Sequence, residues 1–113
     1  MKRRNILDLN GIVFIDYKFN LNKDYDGLLL RYSILNNCTF NKFIKFVDIS
    51  NSFVQNLNLF DSNIEFIILN NISNVSFRQI KFPKNLKYII VSNPKLLLNE
   101  NIKNNSCKKI ILK

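Results

Sequence analysis

Apolar and polar positions alternate in short bursts along this chain, and the bursts recur. Residues 44–51 read IKFVDISN, 64–71 IEFIILNN and 86–93 LKYIIVSN, with a truncated copy, CKKIILK, at 107–113. Their starts lie 20, 22 and 21 residues apart. Alternation of period two marks a strand, whose successive side chains point to opposite faces. Strands that return at such a spacing mark stacked units, none of which can bury its apolar face alone. Residues 12–18 (IVFIDYK) fit the template and 28–37 (LLLRYSILNN) fit it loosely. The expected fold is therefore mainly β: a single-domain parallel-sheet solenoid of about five coils with repeats of 20–22 residues. Residues 44–113 would be the regular repeats, and 1–43 irregular N-terminal coils or a cover.

The stretch LKYIIVSNPKL (86–96) resembles the leucine-rich repeat signature LxxLxLxxN at Leu86, Ile89, Val91 and Leu96. FPKNLKYIIVSN (82–93) is similar to the short, Asn-rich FNIP-type variant of that family. Asn51, Asn71 and Asn93 stand one place before the family's Asn. The resemblance implies an LRR-like parallel stack, and a right-handed β-solenoid is the structural rival. Apolar patches between the copies, LNLF (57–60), VSFRQIKF (75–82) and LLLNENI (96–102), read as extended segments on the opposite side of each coil.

Within the template the fourth and sixth positions point inward: Val47 and Ile49, Ile67 and Leu69, Ile89 and Val91, Ile110 and Leu112. The third and fifth then point outward as Phe46/Asp48, Phe66/Ile68, Tyr88/Ile90 and Lys109/Ile111. Side chains that met only water would be polar. Phe46, Phe66, Ile68, Tyr88, Ile90, Lys109 and Ile111 are accordingly the candidate binding residues, since a contiguous apolar patch marks a partner, a self-interface or a covering segment.

Composition supports the β reading. The chain has 20 Asn, 16 Ile, 15 Leu and 10 Phe but no Ala, a mixture that suits strands and turns better than long helices. Charge adds an asymmetry. Residues 1–68 carry 8 basic and 7 acidic residues, whereas 69–113 carry 9 basic residues and one acid, Glu100. Arg78, Lys81, Lys84, Lys87, Lys95, Lys103, Lys108 and Lys113 form a candidate basic face for an anionic partner.

Chemistry is sparse. There is no His, so the commonest general base is missing and the two cysteines, Cys38 and Cys107, lack the partners of a zinc site. NKDYDG (22–27) reads as a surface turn. No metal, cofactor or catalytic residue is expected. Lys2, Arg3 and Arg4 are followed by no clean apolar stretch, and the protein is expected to be cytoplasmic. The function expected is non-catalytic binding, most simply to a protein that is acidic or associated with nucleic acid. Size and charge would suit a mobile-element- or phage-encoded inhibitor of a host nucleic-acid machine. Direct nucleic-acid binding through the C-terminal coils and a self-associating solenoid, including a homodimer, are the alternatives.

Overall fold

The computed structural model describes residues 5–112, in which short parallel strands dominate. They fall into successive rows. The first holds β1 (Ile6–Asp8), β2 (Val13–Ile15) and β3 (Lys18–Phe19). The second holds β4 (Gly27–Leu29), β5 (Ile34–Asn36) and β6 (Thr39–Phe40), and the third β7 (Phe46–Asp48), β8 (Phe53–Gln55) and β9 (Leu57–Asn58). A fourth row has β10 (Phe66–Leu69), helix α1 (Asn74–Arg78) and β11 (Ile80–Lys81). The fifth has β12 (Tyr88–Val91), a 3₁₀ turn (Pro94–Leu98) and helix α2 (Glu100–Lys103), and β13 (Lys108–Ile111) opens a sixth.

Corresponding strands pair in parallel. The main sheet runs β1-β4-β7-β10-β12-β13, a second runs β2-β5-β8, and β3-β6 and β9-β11 are two-stranded. Along the main sheet Ile6, Gly27, Phe46, Phe66, Tyr88 and Lys108 stand in one column, at spacings of 21, 19, 20, 22 and 20 residues. Residues 6–40 thus extend the sheets and do not fold over the outward face as a cover. The strand in 12–18 belongs to the second sheet; the main-sheet member of that row is β1. Both sheets repeat the same alternation, so the pattern alone does not tell one side of a row from another.

One core runs through the rows. Leu28, Val47, Ile67 and Ile89 fill it from the main sheet, Leu35 and Val54 from the second, and Leu57 and Ile80 from the third side. Two kinds of corner hold the rows in register. Gly11, Tyr32, Asn51 and Asn71 all have left-handed φ (52° to 73°), and so do Asp16, Asn37 and Asn56 at the next corner (49° to 55°). Asn tolerates this conformation because its short side chain can bond locally. Here it also bonds between rows: Asn71 donates to Asn51, Asn37 to Asp16 at 2.8 Å and Asn56 to Asn37 at 3.3 Å. Buried serines serve backbone donors that the turns leave over. The Oγ atoms of Ser52 and Ser76 each accept at 3.0 Å, from Ser33 N and Val54 N.

The two later apolar patches are only partly extended: Ile80–Lys81 of the first is strand β11, and the rest turns as helix. Ser73 accepts a hydrogen bond from Ser76 N at 3.1 Å and caps α1, so VSFRQ turns as a helix and buries Phe77. Asn93 caps the 3₁₀ turn in the same way, with Pro94 pre-set for its first position. No helix among the described residues is long and apolar enough to cross a membrane.

Candidate binding surfaces

The outward column of the main sheet brings three of the expected residues together. Ring centroids of Phe46 and Phe66 lie 5.4 Å apart, and those of Phe66 and Tyr88 5.6 Å, both tilted. Such spacing between in-register parallel strands is that of an aromatic ladder. Exposure grows along it. Phe46 is 8% exposed because it lies over the hollow at Gly27, where a Cβ would come within 3.0 Å of its ring; Phe66 is half-buried and Tyr88 is 41% exposed. The neighbouring column runs Asp48, Ile68, Ile90, Ile110, with the three isoleucines half-buried. Asp48 is buried; it accepts from Ser50 N at 3.0 Å and lies 3.7 Å from Arg31 Nε.

Lys109 and Ile111 do not join these columns. Tyr88 pairs with Lys108, which sets Lys109 opposite inward Ile89 and Ile111 opposite inward Val91. The expected register is one residue out, and a slip of one exchanges the faces. Asn105 Oδ1 accepts from Cys107 N at 3.0 Å, tightening the preceding corner so that this spacing is 20 rather than 21 residues. Lys108 and Ile110 take the outward places. Lys109 ends the inward column, its Nζ donating to the Asn105 carbonyl at 2.8 Å.

The basic residues do not form one face. Lys108 lies on the main sheet, Arg78 at the end of α1, Lys81 on β11, Lys95 in the 3₁₀ turn and Lys103 on α2. Lys84 is 3.7 Å from Asp61, Lys87 3.3 Å from Glu65, and Lys103 2.9 Å from Glu100. Lys81 and Lys84 lie over the Phe60 ring at 5.1 and 5.7 Å. Lys113 lies outside the described residues. Backbone bonds align Asp26, Lys45, Glu65 and Lys87 along the corner before the main sheet, so charges of opposite sign alternate from row to row.

Two further surfaces escaped the sequence reading. Lys23, Lys42 and Lys45 line a shallow open groove of about 530 Å³ with Asp26, Phe43 and Asn63. Its basic residues come from the half with little net charge; the 19-residue spacing of Lys23 and Lys42 was the available signal. The other is the outward face of the second sheet, where Val13, Ile34 and Phe53 share a register column.

Cys38 and Cys107 are both free and buried. Burial pushes both thiols up from their ordinary pKa, beyond what backbone hydrogen bonds at Cys38 and nearby Lys109 at Cys107 take back. NKDYDG forms a turn, in which Asn22 Oδ1 accepts from Asp24 N at 2.9 Å. No group of three or more metal-ligating side chains occurs among the described residues. Compared with known proteins, the chain matches no family model, no curated protein and no solved structure.

Proposed function

We propose that this chain is a small β-solenoid of the leucine-rich-repeat-like kind that works as a non-catalytic, cytoplasmic binding protein. It engages a macromolecular partner through the C-terminal part of the main sheet's outward face. The observation that carries this reading is the graded ladder: Phe46 is buried, Phe66 half-buried and Tyr88 exposed, with Ile68, Ile90 and Ile110 alongside. An aromatic anchor on a rigid sheet gives a partner contact area at little entropic cost. Lys108 continues the aromatic column, so the partner best suited is a protein with an apolar patch and an acidic rim. Occlusion or scaffolding is the mechanism such a surface supports.

Direct nucleic-acid binding through the last rows draws less support. Three of its lysines have acidic partners and the rest are spread around the stack. The test is affinity capture with nuclease-treated protein, comparing Tyr88→Asp and Ile90→Asp with the native chain. Loss of a captured protein in both variants, with circular dichroism unchanged, is expected. Capture unaffected by either substitution would remove the ladder as the contact surface. Binding to bare nucleic acid that collapses with salt would bring the alternative forward.

A further inference from the structure

The two ends of the stack differ. At the β13 end Lys109 takes an inward position and Lys108 an outward one, and charge in a terminal strand blunts an edge against pairing. At the other end β2 is the outermost strand of its sheet, hydrogen-bonded only to β5 among the described residues. It reads Val13-Phe14-Ile15, with neither charge nor proline, and its outward Val13 and Ile15 are 58% and 59% exposed. Behind it the core's cross-section is incompletely covered by the described residues. Leu7, Leu9, Phe14 and Leu21 are only partly buried, and half-exposed Tyr17 packs on Phe14 and Phe19 with centroids 5.1 and 4.9 Å apart. Stacked repeats need a polar terminal unit to stay apart in water. Asp8, Asp16 and Lys18 lie in this first row, but the exposed side chains of β2 are apolar.

We propose that this end is the interface of a symmetric homodimer, in which β2 of one copy pairs antiparallel with β2 of a second across a two-fold axis. The two second sheets then become one, in the order β8-β5-β2-β2-β5-β8, and the part-covered core ends close on each other. A second copy is the occupant that charge selects. The chain carries +9, so two copies repel wherever lysines face, whereas the strand that would pair, Val13-Phe14-Ile15, holds no charge. An acidic partner would be steered to the lysines instead. Size agrees. The smallest elliptical section through a body of 35 × 32 × 27 Å is roughly 700 Å², near the ~800 Å² each partner buries in a standard interface. Because the β13 end is blunted by Lys109, association closes at two copies and does not continue as a fibre.

Light scattering after size exclusion, on the full chain over a wide concentration range, tests this. The mass should approach twice 13.4 kDa, and the double variant Val13→Lys/Ile15→Lys should stay at the single-chain mass with an unchanged dichroism spectrum. A native chain that remains monomeric, or a dimer that the double variant leaves intact, overturns the proposal. Should the variant not fold, amide exchange of the native chain decides. Protection of Val13–Ile15 that rises with concentration supports the interface, and protection independent of concentration refutes it.

Discussion

The first three rows and the rows that follow β9 solve the same packing problem by different means. In the early rows every side is a strand, and the corners turn at Gly11, Asp16, Tyr32, Asn37, Asn51 and Asn56 in left-handed conformations. In the later rows the second side is helical, capped by Ser73 and Asn93, and buries Phe77 and Leu96 where the early rows bury Leu35 and Val54. The main sheet runs through both unchanged. Its outward column needs only a constant register on one side, so the other sides are free to vary. The early rows leave an uncharged, apolar second sheet exposed; the later ones place lysines around the stack and expose Tyr88 on the first.

The contrast is broken most severely by removing the helical rows' core. Phe77 is fully buried, and Phe77→Ala is expected to destabilise by about 3–5 kcal/mol, read from urea unfolding. Because each row leans on its neighbours, amide protection should fall first in β11, β12 and β13 and least in β2 and β5. Next comes Gly27→Ala. The new Cβ would sit 3.0 Å from Phe46 Cδ1 and 3.2 Å from Ile6 Cγ1, and a loss of about 1–3 kcal/mol is expected from overpacking, with Phe46 displaced outward. The ring resonances of Tyr88 should barely change, since Gly27 lies three rows away.

A smaller change sharpens the comparison of corners. Tyr32 stands at φ 56° in a column otherwise made of Gly11, Asn51 and Asn71, and is 69% exposed. Tyr32→Asn should stabilise by about 1 kcal/mol, since a bulky L-residue pays a left-handed penalty that Asn relieves. A destabilised Tyr32→Asn chain would mean that the ring makes contacts that outweigh its strain.

The smallest effect is the pH response of the thiols, one in each half. Burial raises both native pKa values, so folding favours the protonated forms. Their contribution is complete below the unfolded value, about pH 8.5, and is lost as pH climbs from there through the raised native values. Stability of the native chain minus that of Cys38→Val/Cys107→Val should therefore fall above that pH and be flat below it.

Much of this was legible in the sequence, for a physical reason. From 44 to 93 the same positions meet the same neighbours, so they repeat the same residue types, and the inward set Val47, Ile49, Ile67, Leu69, Ile89 and Val91 is buried. The last copy misled because Lys-Lys-Ile-Ile-Leu fits two registers equally well, and the Asx turn at Asn105 that selects one is local chemistry, not periodicity. The helices were hidden because SFRQIKF alternates well enough for a strand, although Ser73 and Asn93-Pro94 were cap signals. Among the candidate contacts, the rings of Phe46, Phe66 and Tyr88 followed from register alone. The lysine groove and the second-sheet face did not, because each joins residues from different rows whose meaning appears only once three sheets are distinguished.

The most direct test of the common register is nuclear Overhauser contacts across the main sheet. Ring contacts from Phe46 to Phe66 and Phe66 to Tyr88, with backbone contacts from Tyr88 to Lys108, are expected, because these residues are Cα partners in the parallel sheet. Contacts from Tyr88 to Lys109 in place of Lys108, or none between the rings, would contradict the stack and the surface built on it.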